Sequence, residues 1–246
     1  MGIALPFDQT GLVVAGAALL GAFASGVAGF AFGLVALGLW LHVLNAHVAG
    51  PLVIVASLIT QLVSLLHFRR SIRLDLLWPF LIGALIGTPL GVWLLAYADP
   101  LLMRRWMGAF LVLYAGFFLL RPPLKPVHSG GRVADGGVGF VGGVMGGLAG
   151  LSGPVPTAWC GLRGWNKDTS RAVYQPFNIA VQLMALPALL GAGLLNRELG
   201  YYTLLCVPAM LVGVWFGVRV YRRIDEAQFR KLILWLLLAS GASLLF

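Results

Sequence analysis

Long apolar runs separated by short polar stretches cover nearly the whole chain. The runs between charged residues form eight segments, at about 10–42, 48–68, 75–97, 101–120, 135–162, 172–195, 199–220 and 229–246. A helix needs about 20 apolar residues to cross a bilayer core that is ~30 Å thick. The pattern therefore predicts an all-α polytopic membrane protein.

Composition agrees with this class and excludes others. Hydrophobic residues make up 60% of the chain and charged residues 10%, and the mean hydropathy is +0.93. A soluble domain of this size could not bury so much apolar surface. The net charge of +9 would suit nucleic acid, but the 17 Lys and Arg lie almost entirely between apolar segments. We therefore expect a lipid bilayer as partner and no nucleic acid.

The two halves of the chain resemble each other. A polar linker rich in Pro and Gly, at 121–134, separates a first repeat at 1–120 from a second at 135–246. At an offset of 121 residues, Gly26-Val-Ala-Gly29 falls on Gly147-Leu-Ala-Gly150, and Gln61 falls on Gln182. Shared polar positions of this kind predict an internal duplication.

The first and fifth segments are too long for one simple crossing and contain helix-breaking residues. Ser25, Gly26 and Gly29 interrupt the first, and the stretch 150–156 interrupts the fifth. In one arrangement each segment is a single crossing, which gives eight spans and parallel repeats. In the other, each is a re-entrant helical hairpin followed by three transmembrane helices, which gives inverted repeats.

The distribution of basic residues favours the second arrangement. Eight single crossings would place 10 basic residues on one face and 7 on the other. Two re-entrant hairpins would leave only Arg104, Arg105 and Arg197 on one face and place the other 14 together. An excess of Lys and Arg marks the cytoplasmic side. We therefore predict inverted repeats, a cytoplasmic linker, both termini outside, and hairpins that enter from opposite faces.

Each break predicts a place where an anion binds. Irregular backbone at membrane depth is tolerated only where protein or a water-filled cavity satisfies its polar groups. The second arm of a broken hairpin begins with unpaired N–H groups and the positive end of its dipole, which attract an oxyanion. The candidate residues are Ser25, Gly26 and Gly29 in the first half and Gly150, Ser152 and Gly153 in the second. For Gly87, Gly91, Gly213 and Gly217 we favour close helix packing instead.

A polar stripe supplies a second set of candidates. Arg171, Gln175, Asn178 and Gln182 are spaced 4, 3 and 4 residues apart, and Ser57, Gln61 and Ser64 follow the same 4, 3 spacing in the first half. Each set shares one helix face, and both faces should point to the bundle interior because polar groups are costly in lipid. Contact with a ligand and hydrogen bonding between helices both explain these residues, and Arg171 is either an anion partner or a topology charge.

Acidic residues lie only at segment ends and in loops. No carboxylate sits in mid-segment, where cation sites and proton relays need one, so an anion is the expected cargo. We predict no metal, no cofactor and no enzyme activity. The alternatives are an anion channel and an intramembrane enzyme acting on a lipid phosphate, although the enzyme lacks a Ser, His and carboxylate cluster at depth.

The glycine patterns around the breaks resemble those of the sulfite exporter TauE/SafE family. They are Gly21-x-x-x-Ser25-Gly26-x-x-Gly29 and, after the linker, Gly143-x-x-x-Gly147-Leu-x-Gly150-x-Ser152-Gly153-Pro154-x-Pro156. The resemblance covers nearly the whole chain and implies a carrier of sulfur-containing or organic anions in the bacterial inner membrane. In that membrane the outside termini predicted from the basic residues are periplasmic.

The expected function is therefore secondary transport of a small anion, such as sulfite, sulfoacetate or another sulfonate. The anion would bind at the midplane between the hairpins and be exposed alternately to each side. The partners expected are this anion and the bilayer, and the sequence leaves a homodimer open.

Overall fold

The computed structural model describes most of the chain. It covers residues 9–65, 72–97, 99–120, 130–165 and 167–221, with scattered positions between 223 and 245. Within those residues it contains nine helices and no strand. They are α1 (Gln9–Ala28), α2 (Phe32–Trp40), α3 (Ala46–Leu65), α4 (Leu74–Tyr97), α5 (Pro100–Leu120), α6 (Gly131–Ala149), α7 (Pro154–Leu162), α8 (Lys167–Gly191) and α9 (Arg197–Tyr221).

The predicted all-helical class is confirmed for the described residues. Five helices are long and apolar enough to cross a membrane, namely α1, α3, α4, α8 and α9. Helix α6 begins at Gly131, inside the predicted linker, and Gly130 precedes it with a left-handed φ of 99°. The rest of that linker, at 121–129, and most of the predicted helix at 229–246 lie outside the described residues.

Both overlong segments contain two helices with a break between them. The first break, at 29–31, separates α1 from α2, and the second break, at 150–153, separates α6 from α7. Trp40 at the end of α2 donates from Nε1 to the carbonyl of Val14 in α1, at 3.0 Å. Trp159 in α7 donates in the same way to Asp135 near the start of α6, at 2.7 Å. Each second arm therefore lies beside its first arm. Re-entry from opposite faces and the inverted repeat stay predictions.

Glycines let helices from different halves pack against each other. On α4, Gly83, Gly87 and Gly91 face the backbone of α6, where Gly139, Gly143 and Gly147 face α4 in return. A Cβ at Gly143 would lie 2.8 Å from the Cα of Ala84, closer than real Cβ atoms approach. Without a hydrophobic driving force in lipid, such close backbone contact is a main source of helix association.

The same contact recurs between α1 and α9. Gly213 faces the carbonyl of Leu19 and Gly217 that of Phe23, so packing explains both, as it explains Gly87 and Gly91. Gly26, a predicted site residue, lies on this packing face, since its Cβ would be 2.9 Å from the carbonyl of Val214. Each half therefore packs one helix of its hairpin against the other half.

We predict opposite outcomes for alanine at two glycines of α6. Gly143→Ala should lower the melting temperature in detergent, because the new Cβ collides with the backbone of α4 and such overpacking costs about 1–3 kcal/mol. Gly137→Ala is the matched control, because nothing lies within 4 Å of the new Cβ. It should hold or raise the melting temperature, since alanine is favoured over glycine in helices by about 1 kcal/mol. Equal melting temperatures would contradict the packing role.

Candidate functional site

The polar stripe lies in the bundle interior, as predicted. It combines the two helix faces, from α3 and α8, and each of its side chains is at most 4% exposed. Its members are Ser57, Gln61, Ser64, Arg171, Gln175, Asn178 and Gln182. The stripe therefore combines amide groups, hydroxyl groups and one cation, and none of its members is acidic.

Two glutamines join the helices that carry the stripe. Gln61 Nε2 donates to Gln182 Oε1 at 3.2 Å, so the helix-to-helix alternative holds for this pair. The two residues are separated by 121 residues, which is the offset that aligns the halves of the sequence. Equivalent positions of the two halves are therefore in direct contact. The pair leaves Gln61 Oε1 and Gln182 Nε2 without a partner among the described residues.

Arg171 faces the stripe and the end of α1. Its Nε donates to Gln175 Oε1 at 3.0 Å, and its Nη2 lies 3.4 Å from the Gly26 carbonyl. Its guanidinium also stacks 4.4 Å above the ring of Tyr221. The last carbonyls of a helix carry partial negative charge and lack helical partners, so a cation there stabilises the helix end.

The end of α1 has a second partner from α8. Tyr174 donates from its hydroxyl to the Ala28 carbonyl at 2.9 Å. Gly29 follows with a left-handed φ of 81°, and its N–H donates to the Ser25 carbonyl at 2.7 Å. A Cβ on Gly29 would lie 3.0 Å from the Tyr174 ring, so both conformation and space require glycine here. Ser25 is fully buried, and its hydroxyl has no partner in the described chain.

The second break has the same glycine geometry. Gly150 has a left-handed φ of 68°, and its N–H donates to the Gly146 carbonyl at 2.8 Å. Ser152 is buried beside it, and Gly153 immediately precedes α7. The end of α6 has no counterpart of Arg171. At the 121-residue offset, the α3 position that matches Arg171 is Gly50.

The second break offers fewer N–H groups than the sequence suggested. Proline has no N–H, so Pro154 and Pro156 leave Val155 as the one donor among the first three residues of α7. Both prolines suit a helix start, but each removes a group that an anion could bind. Helix α2 keeps the N–H groups of its first turn, which begins at Phe32.

The two breaks touch each other. A Cβ on Gly33, in the first turn of α2, would lie 3.1 Å from the Gly150 carbonyl and 3.0 Å from the Leu151 side chain. A Cβ on Gly153 would collide with the Phe30 side chain. Gly153 is therefore needed for close contact between the halves, so a larger side chain there would disturb packing as well as access to the backbone.

Several buried polar atoms around the stripe have no partner. Neither amide atom of Asn178 makes a hydrogen bond within the described chain, although the residue is only 1% exposed. Gln175 Nε2 also makes no hydrogen bond within the described chain. An unsatisfied buried polar group costs about 1–3 kcal/mol, so native proteins keep few of them. The cluster of such groups makes the space between these helices the candidate binding site.

The family to which this chain belongs follows from a comparison with known protein families. The family described as "Sulfite exporter TauE/SafE" matches residues 14–244. The chain belongs to the sulfite exporter TauE/SafE family. The resemblance predicted from the glycine patterns is confirmed.

One curated relative of this TauE/SafE chain is the "Probable inner membrane transporter protein TsaS" of Comamonas testosteroni. It is 29% identical over 184 residues, which cover 73% of this chain and 74% of the relative. No solved structure matches. Family and relative are both named for transport, so this chain is a multi-pass membrane transporter and not an enzyme acting on a lipid phosphate.

One buried ionic contact in this TauE/SafE chain was missed in the sequence. Asp135 in α6 accepts from Arg163, which follows α7, at 2.9 Å, and from the ring N–H of Trp159. These contacts tie the ends of α6 and α7 that lie away from the second break. Asp135 and Arg163 appeared in sequence as charges at segment ends, and their separation of 28 residues gives no local signal of pairing. No group of three or more His, Cys, Asp or Glu in the described chain could hold a metal.

We predict that cysteines at the two breaks will cross-link. In the double variant Phe30→Cys, Gly153→Cys, the Cβ atoms are close enough for a disulfide after a small local adjustment. A protease site placed in the linker would then cut the chain, and the disulfide should hold the halves together on a non-reducing gel. In the control variant Phe30→Cys, Gly137→Cys, the two halves of the cut chain should separate on the same gel. Separation of both pairs would show that the breaks do not touch.

Proposed function

We propose that this chain is a secondary transporter that moves a small organic or inorganic anion across the bacterial inner membrane by alternating access. Sulfite, sulfoacetate and other sulfonates are the candidate substrates, in line with the family description and the name of the relative. The anion is held near the midplane, where the two breaks meet the polar stripe. A homodimer remains a prediction.

The observation that carries the proposal is the set of buried amide groups that lack partners beside the two breaks. Asn178, Gln175 and Gln182 all present unpaired N–H donors in the interior, and Arg171 adds a positive charge. Amide N–H groups and a guanidinium are the groups that bind sulfonate and sulfite oxygens.

The proposed residues have different roles. Amide groups of Gln61, Gln175, Asn178 and Gln182 line the anion site, and Ser25 adds a hydroxyl. Arg171 attracts the anion and holds the end of α1 in place. Gly26, Gly29, Gly150, Ser152 and Gly153 form the breaks and allow the backbone to approach. The positive end of the α2 dipole faces the second break and favours negative charge there.

Alternating access follows from the repeat. The Gln61–Gln182 contact and the reciprocal packing of α1 on α9 and α4 on α6 both support a pseudo-twofold relation between the halves. If each half can adopt the conformation of the other, the protein has two states of opposite orientation around one central site. The buried state of the stripe supports a carrier, since an open channel would connect the site to water.

We predict that two new cysteines will be labelled from opposite sides of the membrane. Val133→Cys, at an exposed position near the start of α6, should react only from the cytoplasmic side, and Asn196→Cys only from the periplasmic side. The native Cys160 and Cys206 are buried and free, so they give little background. With eight simple crossings both positions would face the same side, and labelling from one side would refute the inverted repeat.

We predict exchange of labelled anion in proteoliposomes loaded with unlabelled sulfite, sulfoacetate or taurine. At least one of these should drive uptake of its labelled form above equilibrium. Arg171→Ala should lower exchange at least about tenfold, which corresponds to ~1.4 kcal/mol, because the site loses its cation and α1 its cap.

Arg132→Ala is the control, because this arginine is exposed and stacks on Trp78, 5.3 Å from the ring centroid. Its exchange should match that of the wild type. If Arg171→Ala left the exchange rate unchanged, Arg171 would not contribute to anion binding. Unitary currents in planar bilayers would identify the protein as a channel instead.

A further inference from the structure

The unpaired groups of the stripe include acceptors as well as donors. Asn178 has one of each without a partner, and Gln61 Oε1 is an unpaired acceptor beside the unpaired Gln182 Nε2. Gln175 differs, because its Oε1 already accepts from Arg171 and only its Nε2 remains. Arginine only donates, so this orientation of Gln175 is fixed by chemistry.

The number of free acceptors does not depend on how the amides are oriented. Rotating Asn178 exchanges its oxygen and nitrogen but leaves one acceptor and one donor group. Rotating both Gln61 and Gln182 reverses their hydrogen bond and again leaves one carbonyl oxygen and one NH₂ group. Two amide carbonyl oxygens therefore remain unpaired in every consistent assignment.

A bare oxyanion cannot satisfy such a site. Its oxygens only accept, so they would bind the free N–H groups and leave the two carbonyl oxygens both unpaired and close to negative charge. A buried acceptor without a donor costs about 1–3 kcal/mol. Each hydrogen that a ligand donates from an O–H or N–H group satisfies one of the two carbonyl oxygens and reduces this cost.

We infer that the substrate is a small oxyanion that carries its own hydrogen-bond donor, and that Asn178 together with the Gln61–Gln182 pair selects for that donor. The inference rests on the proposed function, since it assumes that the stripe binds the transported anion. The donor can be a hydroxyl or amino group on an organic chain, or the proton of a singly protonated inorganic oxyanion. The shared chemistry is one negative charge with an adjacent N–H or O–H.

Two sulfonates of nearly equal size can show how much the ligand's hydrogen-bond donor contributes to affinity. Hydroxyethanesulfonate and propanesulfonate carry the same single charge and have nearly the same size, and they differ only by a hydroxyl in place of a methyl group. We expect hydroxyethanesulfonate to bind the wild-type protein in nanodiscs at least about tenfold more tightly by calorimetry, because a site built to bind a hydroxyl discriminates strongly against an analogue without it. Sulfite is titrated in parallel as the inorganic arm.

Two variants test whether Asn178 causes the preference for hydroxyethanesulfonate over propanesulfonate. Asn178→Leu removes the free acceptor and donor at similar volume, so the affinity ratio between the two sulfonates should fall below about threefold. The melting temperature without ligand should not drop, because leucine leaves no buried polar atom unpaired. Thr60→Val is the control, since Thr60 is buried on α3 outside the stripe and its hydroxyl already donates to the Ser57 carbonyl at 2.9 Å. It should keep the wild-type ratio.

The outcomes separate the inference from the proposed function. Equal affinities for the two sulfonates would overturn the inference and leave the anion site standing, with water on the free acceptors. Binding of sulfite without either sulfonate would also overturn selection for an organic donor, unless its affinity followed the singly protonated species as pH changes, which would support the inorganic form. If neither sulfonates nor sulfite bound, the proposed function itself would fail.

Discussion

A helix that ends in the protein interior leaves backbone groups that need hydrogen-bond partners, and the rest of this structure is organised around two such ends. At the first, carbonyls of the last turn of α1 accept from Arg171 and Tyr174 of α8. At the second, the backbone closes on itself, with the N–H groups of Gly150 and Leu151 donating to Gly146 and Met145. Helix α8 therefore belongs to the site through its contact with α1 as well as through its polar face.

The two halves solve this problem differently, and the difference makes the site asymmetric. At the 121-residue offset, Arg171 and Tyr174 correspond to Gly50 and Val53 of α3. Val53 packs against the positions of both Gly33 and Gly150, so it joins the two breaks by apolar contact. On α8, Arg171 and Tyr174 make hydrogen bonds to the end of α1 instead. Of these two matched positions, only the one on α8 carries a cation, Arg171. A single negative charge suits such a site better than two.

Much of the fold was visible in sequence, because lipid imposes length and polarity on every crossing. The apolar runs gave the helices, and the two glycine clusters gave the breaks. The burial of Asn178 and Gln182 followed from their spacing on one helix face. The role of Arg171 as a cap on α1 could not be predicted, because it depends on a contact 145 residues away in the chain. The Asp135–Arg163 pair was hidden for the same reason.

Two further features could have been inferred but were not. Glycines at intervals of four on both α4 and α6 form matching faces, which predict that these helices pack together. The prolines at 154 and 156 already imply few N–H donors at the start of α7, so the proposed anion site has to rely more on side chains than on that helix end.

We propose above all that an oxyanion binds between α3 and α8, where the two breaks meet. Selenite is chemically close to sulfite, and its selenium can be located by anomalous diffraction from crystals grown with it. We expect a selenium peak within about 4 Å of the side-chain amides of Asn178 and Gln175, the separation that results when selenite oxygens accept their hydrogen bonds. A peak found only at the protein surface, with the stripe unoccupied at saturating selenite, would contradict it.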